Sequence, residues 1–204
     1  MVRHAKALAR RKERTELRCE QVLEAAEACF RAEGFHGASM ARIAETAGMS
    51  VGHIYSYFES KEAVIIALCE RRFAGFEHLL TLVEHDKRRN RASLVDAWIS
   101  QFAWWIDPER APLTLEIMSE AGRNPKVSSV VRRIDRRFRD MMRQSLVPLA
   151  GPIPEDEIED RLEALTMLAH GMTIRITADP DVDPRRLLES FRRAVHRLLA
   201  IPSA

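Results

Sequence analysis

Cysteine is scarce in this chain, with three in 204 residues. Cys19, Cys29 and Cys69 are widely spaced, form no C-x-x-C pair and cannot all be paired within one chain. This pattern excludes a disulfide framework and indicates a reducing compartment, so we expect a cytoplasmic protein. Cys29 and Cys69 lie in apolar helical surroundings typical of a core. Cys19 lies among charged residues and is therefore the candidate for a reactive thiol.

Long apolar runs are missing as well. The longest uninterrupted one extends from Ala63 to Cys69, far short of the roughly 20 residues that a membrane-spanning helix needs. The basic N-terminus is not followed by the apolar segment of a signal peptide. We therefore expect neither a leader nor a membrane partner.

Motifs of catalysis are the third absence. The sequence contains no P-loop, no G-x-G-x-x-G, no Ser/His/Asp arrangement and no cluster with metal-ligand spacing. His78 and His85, with Glu77 and Glu84 nearby, are a poor match to a metal site. We therefore expect no enzyme activity, no metal and no cofactor.

An excess of one charge is lacking over the whole chain, whose formal net charge is +2. The basic residues are concentrated instead in residues 1–14, where Glu13 alone opposes them. Such a segment is typically disordered until it meets a polyanion. Two interpretations stay open: a solvated N-terminus, or an arm that contacts the phosphates or the minor groove of DNA. The cations are Arg3, Lys6, Arg10, Arg11, Lys12 and Arg14.

Helical periodicity dominates the rest of the chain, and no segment alternates as a strand does. The apolar spacing, the capping residues and the Pro and Gly breaks predict an all-α fold of about nine helices. The first helix is predicted over 15–33 and a later one from Ser93 to Trp105. The last two helices are predicted over 155–177 and 184–200.

Three helix starts lie about ten residues apart between residues 34 and 64. Ser39, Ser50 and Ser60 each precede a helical pattern and can accept a hydrogen bond from a backbone N–H of the first turn. Gly48 suits the left-handed conformation that ends a helix. Two short helices joined by a tight turn and followed by a third predict a helix-turn-helix, whose second helix enters the DNA major groove.

These residues resemble the TetR/AcrR family of bacterial repressors. The resemblance covers roughly residues 17–64 and is specific as a block, whereas the remainder is similar in length and helical character. It implies an N-terminal three-helix DNA-binding domain over 15–61 and a C-terminal helical domain for effector binding and dimerisation over 62–204. The matching residues are Val22-Leu23-x-Ala25-Ala26-x-x-x-Phe30, Glu33-Gly34-Phe35, Ser39-Met40-x-x-Ile43-Ala44, Ala47-Gly48-Met49-Ser50-x-Gly52 and Ile54-Tyr55-x-Tyr57-Phe58-x-Ser60-Lys61-Glu62.

The resemblance implies that the helix from Val51 to about Phe58 reads the operator. Gly52 would let the backbone approach DNA closely, and His53 would hydrogen-bond a base edge or a phosphate. The predicted operator is palindromic double-stranded DNA. We predict no base sequence for it, because Met40, Val51 and Ser56 stand where family members often carry other groups. The predicted DNA contacts are Ser39, Met40, Ser50, Val51, Gly52, His53, Tyr55, Ser56, Tyr57 and Lys61.

The same resemblance implies that the last two helices pair with their copies in a homodimer. An apolar stripe along these helices is the predicted interface, although it is also compatible with packing inside one subunit. The predicted interface residues are Leu162, Leu165, Met172, Leu188, Phe191, Val195 and Leu198.

Aromatic and methionine side chains on the C-terminal helices predict an adaptable apolar pocket for a small hydrophobic effector. An ordinary core is the alternative for each residue taken alone. The predicted lining is Trp98, Phe102, Trp105, Met118, Met141, Met142, Met167 and, as a polar anchor, His170.

These features predict a DNA-binding transcriptional regulator, a repressor that a small apolar effector releases from its operator. The alternative is a DNA-binding regulator controlled by a protein partner or by thiol redox chemistry, for which Cys19 is the support. The effector, the operator sequence and the regulated genes are not specified by the sequence.

Overall fold

The computed structural model describes residues 2–84, 91–150 and 153–199, which form helices and no strand. This confirms the predicted all-α class with about nine helices. None of the helices in these ranges is both long and apolar enough to cross a membrane. The helices are α1 (Val2–Gly37), α2 (Met40–Thr46), α3 (Val51–Tyr55), α4 (Lys61–Glu84), α5 (Arg91–Ser100), a short 3-10 helix (Gln101–Trp104), α6 (Ala111–Ala121), α7 (Pro125–Ala150), α8 (Glu155–Ala178) and α9 (Pro184–Leu198).

The predicted disordered arm is wrong, because α1 begins at Val2 and includes the basic segment. Residues 2–33 contain neither glycine nor proline and are rich in Ala, Leu, Glu, Lys and Arg, which favour helix. Lys12 pairs with Glu16 one turn later at 3.7 Å. Local helix propensity therefore extends the helix through the segment whose charge suggested disorder.

The helix-turn-helix is held by the capping residues that the sequence predicts. Ser39 Oγ accepts a hydrogen bond from the Arg42 N–H at 3.1 Å, and Ser50 Oγ accepts one from the His53 N–H at 3.2 Å. Gly48 has φ 63°, the left-handed conformation that is strained for other residues. These contacts confirm that α2 ends and α3 begins where turn chemistry requires.

Buried side chains form two clusters, and α4 contributes to both. The first cluster unites α1, α2 and α3 with Leu68 of α4 and with residues of α6 and α7, such as Leu113 and Val130. The second cluster joins the second half of α4, including Phe76, to α5, α7, α8 and α9. The DNA-binding unit therefore packs directly on α4 and α6, and residues of α7 complete the same cluster. The domain boundary after Lys61 stays a prediction.

The single helix predicted from Ser93 to Trp105 is wrong, since α5 ends at Ser100 and a 3-10 helix follows. The Ser100 hydroxyl and the Gln101 amide both donate to the Ala97 carbonyl, at 2.6 and 3.1 Å. Side-chain donors that compete for a helical carbonyl weaken the α-helical hydrogen-bond ladder.

Candidate DNA interface and effector cavity

The recognition helix α3 exposes one side to solvent and buries the other. Ile54 is fully buried, whereas Val51, Gly52, His53 and Tyr55 are exposed. Ser39, Ser50 and Ser56 are also exposed, and Tyr57 is partly buried. His53 Nε2 lies 3.0 Å from the Tyr57 hydroxyl, so these two polar groups form one unit on this surface. The structure thus brings eight of the ten predicted DNA contacts to α3 and the adjoining helix starts.

Met40 and Lys61 are placed differently from the prediction. Met40 is only 9% exposed and belongs to the N-terminal core, so its side chain offers no DNA-contacting surface. Its position at the start of α2 falls on the inner face, because Ile43 and Ala44 follow at helical spacing. The Lys61 ammonium donates to the carbonyls of Phe35 (2.5 Å) and Ala38 (2.8 Å) and thereby caps the end of α1. A phosphate contact by Lys61 stays a prediction.

The charge available for DNA phosphates lies mainly on the first part of α1. Arg42 beside the helix-turn-helix is held by Glu33 at 2.9 Å and by Glu45 at 2.8 Å. These two carboxylates raise the pKa of Arg42, chiefly through the hydrogen bond with Glu33. In contrast, the N-terminal part of α1, which precedes the helix-turn-helix in the chain, carries four exposed cations: Lys6, Arg10, Arg11 and Arg14.

A side-chain hydrogen bond fixes α1 on the helix-turn-helix. The Gln21 amide donates to the carbonyl of Ala47, at the end of α2, at 2.6 Å. With a rise of about 1.5 Å per residue, Arg14 lies roughly 10 Å and Lys6 roughly 22 Å along the axis from Gln21. A helix about 10 Å wide is broader than a minor groove of about 6 Å, which favours phosphate contacts over minor-groove insertion.

A cavity of about 240 Å³ lies among α4, α6, α7 and α8 and the segment that follows α5. Its wall is mainly aromatic and aliphatic. It is somewhat larger than a cavity of roughly 150 Å³, which accommodates benzene. The lining residues are Cys69, Arg72, Phe73, Phe76, Trp104, Trp105, Thr114, Ile117, Met118, Val131, Arg132, Ile134, Asp135, Phe138 and His170.

Three of the eight predicted lining residues border this cavity, namely Trp105, Met118 and His170. Trp98, Phe102 and Met142 are instead fully buried in the C-terminal core, and Met141 packs against that core. The prediction is also wrong for Met167, which is 60% exposed on α8. The pattern of aromatics and methionines identified the right helices, but core and cavity residues share the same composition.

Arg72 is the buried charged residue among the twelve residues of this wall that the sequence interpretation missed. It is 8% exposed, and its guanidinium donates to Glu27 Oε1, the Arg110 carbonyl and the Thr114 hydroxyl at 2.9–3.1 Å. Burial lowers the pKa of the Arg72 guanidinium, and the Glu27 charge opposes that effect. The sequence does hold a signal, because apolar residues at helical spacing surround Arg72 on both sides: Leu68, Cys69, Phe73 and Phe76.

The helix α6 connects the cavity to the DNA-binding unit. Ile117 lines the cavity, whereas the neighbouring Glu116 accepts a hydrogen bond from the Phe35 N–H at 3.1 Å. One turn later, Glu120 lies 3.3 Å from the His36 ring. Phe35 and His36 stand at the end of α1, immediately before α2. Helix α6 therefore contacts both the cavity and the segment immediately before the helix-turn-helix.

Five of the seven residues of the predicted dimer stripe are buried within their own subunit, so the prediction is wrong for those five. For Leu188 and Leu198, which are partly buried, it stays a prediction. Leu162, Leu165, Met172, Phe191 and Val195 lie in the C-terminal core, and Leu188 and Leu198 pack against it. Helix α8 is apolar on a second face, which is exposed. We call this the α8 outer face; it consists of Met167, Leu168, Gly171 and Ile174.

Comparison with known proteins agrees with this architecture. Residues 22–68 match the model of bacterial regulatory proteins of the tetR family, and residues 90–200 match the model of the BetI-type transcriptional repressor C-terminal domain. The chain is 34% identical over 116 residues to the HTH-type transcriptional regulator UidR of Escherichia coli K12. The match spans 55% of this chain and 56% of UidR, so only about half of that relative's length is covered.

Two solved structures share the whole fold. A putative transcriptional regulator from Pseudomonas aeruginosa PAO1 aligns over 91% of each chain with a TM-score of 0.76 and 22% identity. The transcriptional regulator FadR from Bacillus subtilis, solved in complex with stearoyl-CoA, aligns over 86% of this chain and 96% of its own, with a TM-score of 0.73 and 21% identity. With the two family models and the exposed recognition helix, these findings show that the chain belongs to the TetR family of bacterial transcriptional regulators, which are DNA-binding proteins and not enzymes.

Proposed function

We propose that this regulator is a homodimeric repressor that binds a palindromic operator and releases it when a small, largely apolar effector occupies the cavity. Acting on chromosomal DNA, it would work in the cytoplasm. The complex of FadR with stearoyl-CoA supports a small-molecule effector for a protein of this fold. The geometry of α6 carries the proposal, because this helix contacts both the cavity and the end of α1.

The mechanism requires two spacings of the recognition helices. An HTH dimer fits DNA when its recognition helices lie about one helical turn, roughly 34 Å, apart. An effector that contacts Ile117 or Thr114 and binds better to the arrangement with a displaced α6 would favour a different spacing. The effector itself need not touch the DNA-binding unit.

Control by thiol redox chemistry is less well supported. Burial, and secondarily the Glu16 charge, raise the pKa of the Cys19 thiol, which disfavours the reactive thiolate. Burial raises the pKa of Cys69 to about 12. Cys29 is buried, with its sulfur 3.3 Å from the Thr46 hydroxyl. Control by a protein partner is also less well supported, because the FadR structure of the same fold holds a small molecule, stearoyl-CoA.

Selection from random DNA tests the proposed function directly. Duplexes that the purified protein retains should share a palindrome with half-sites about one turn apart, and each should carry two protomers. Enrichment of a sequence without two-fold symmetry, or binding of one protomer per duplex, would contradict the proposal. Compounds that release the selected duplex would then identify the effector.

Introducing a charge on the α8 outer face should separate the protomers. Ile174 is 55% exposed and lies one turn after Gly171. If it is buried at a two-fold interface, Ile174→Glu removes about 1.5–3 kcal/mol of apolar burial per protomer and raises the dimer Kd more than about 100-fold. Analytical ultracentrifugation measures this change. Ile174→Leu is the matched control and should remain dimeric, and an unchanged Kd for Ile174→Glu would place the interface elsewhere.

Deleting residues 1–12 should weaken binding to operator and to random DNA by similar factors. The deletion removes the exposed cations Lys6, Arg10 and Arg11 and ends before Glu13. If each protomer loses about two phosphate contacts, the slope of log affinity against log salt should fall by about 3–4. Gel-shift titrations over a salt series measure the slope.

A helical control separates charge from structure in that experiment. Replacing Arg10, Arg11 and Lys12 by glutamine keeps helix propensity and removes the charges. It should reproduce most of the effect of the deletion. If binding to operator and binding to random DNA both stay unchanged, this segment is a solvated helix end that does not contact DNA.

A further inference from the structure

Arg72 has an incomplete set of charged partners for a buried arginine. A guanidinium offers five N–H donors in a planar fork that matches both oxygens of a carboxylate. Here Arg72 contacts one carboxylate oxygen, Glu27 Oε1 at 3.1 Å, whereas Glu27 Oε2 is bonded to Arg71. The other two acceptors of Arg72 are neutral: the Arg110 carbonyl and the Thr114 hydroxyl. The buried charge is therefore only partly matched.

Arg72 lines the cavity, and its guanidinium stacks on an aromatic ring. Its Cζ atom lies 4.8 Å from the centroid of Trp104, which also lines the cavity. Trp105 lines the same cavity, and its indole N–H is buried without an acceptor among the described residues. Buried donors without acceptors favour a ligand that supplies oxygen atoms. Aromatic rings around these donors suit an apolar body.

We propose that Arg72 recognises a carboxylate on the effector, which is therefore an apolar acid. The carboxylate of the acid would take the place of the neutral acceptors of Arg72. It would also compete with Glu27 for the guanidinium N–H donors of Arg72. Glu27 belongs to α1 and Arg72 to α4, so this competition loosens a contact between the DNA-binding unit and the effector domain. The inference rests on the proposed effector function and names the chemical class of the effector.

Matched probes of different charge test this inference on the full-length protein by calorimetry. One series is phenylbutyrate, phenylbutanamide and phenylbutylamine, and a second has the same three head groups on a naphthyl body. The acid should bind about 10- to 100-fold more tightly than its amide, because charge-assisted hydrogen bonds are stronger than neutral ones. The amine tests the opposite preference, for Asp135, the carboxylate of the wall.

Substitutions then assign the preference to Arg72. Arg72→Met should remove the advantage of the acid over the amide, whereas Arg71→Met should retain it, because Arg71 pairs with Glu27 but does not line this cavity. Glu27→Gln should increase acid affinity several-fold by removing the competing carboxylate. This gain of binding keeps the inference testable if Arg72→Met fails to fold, and a purely structural role of Arg72 would not produce it.

The outcomes separate the inference from the proposed function. Acids that bind no more tightly than amides, or amines that bind best, contradict the carboxylate and leave an effector cavity in place. Acid affinity that does not rise in Glu27→Gln contradicts the competition. If no probe of any charge binds at millimolar concentration, the effector cavity itself, and with it the proposed function, is contradicted.

Discussion

Gly52→Glu should nearly abolish operator binding while leaving the protein folded and no less stable. Nothing lies within 4 Å of the position that a Cβ would occupy at Gly52, so the new side chain meets no clash. Gly52 stands in the first turn of α3, after the Ser50 cap, where an acidic residue is favoured by the helix dipole. Against DNA phosphates, a like charge costs several kcal/mol. We expect a loss of at least about 100-fold in affinity.

Alanine substitutions give the graded form of this test. Gly52→Ala should raise the stability of α3 by about 0.5–1 kcal/mol, because alanine favours helix over glycine. If the backbone approaches DNA closely at this point, the added methyl group should still weaken operator binding. Gly75→Ala is the matched control, because Gly75 is also helical with nothing within 4 Å and lies on α4. Thermal unfolding measures the expected gain in stability of Gly52→Ala, and gel shifts measure its expected loss of operator affinity. Normal operator binding by Gly52→Glu would show that α3 does not contact the DNA.

Local chemistry made the DNA-binding unit predictable from the sequence. Capping serines at Ser39 and Ser50 and a left-handed Gly48 act over a few residues, and the structure shows each of them in its expected role. Met40 differs because burial depends on how α2 packs on α1, which the capping pattern does not specify. Lys61 differs because its acceptors, the carbonyls near Phe35, lie 26 residues earlier in the chain.

The C-terminal part was predictable as helices but not as surfaces. α8 is apolar on two faces, and only the packed structure decides that Leu165 is buried and Met167 is exposed. The lining of the cavity could not be predicted for the same reason. Phe102 and Phe138 are both buried aromatics, but of these two only Phe138 lines the cavity. Such choices depend on contacts between distant helices, whereas periodicity reports only the helix itself.

Effector and operator should weaken each other's binding by the same factor. Helix α6 lines the cavity and contacts the end of α1, immediately before the helix-turn-helix, so a ligand that prefers a displaced α6 should oppose the DNA-bound arrangement. A coupling free energy of about 1–3 kcal/mol corresponds to a five- to 150-fold loss of operator affinity. Trp104 and Trp105 line the cavity and allow ligand binding to be followed by intrinsic fluorescence, with and without operator.

Glu116→Ala should reduce this coupling without a comparable loss of ligand affinity. Glu116 holds the Phe35 N–H from the helix that lines the cavity, but it is not itself part of the lining. Glu109→Ala is the control, because its contact with Arg31 of α1 is an exposed ion pair at 3.5 Å and should contribute little. The coupling factor should therefore fall in Glu116→Ala and stay near the wild-type value in Glu109→Ala. A ligand that binds the wild-type cavity equally well with and without operator would overturn the mechanism, however tightly it binds.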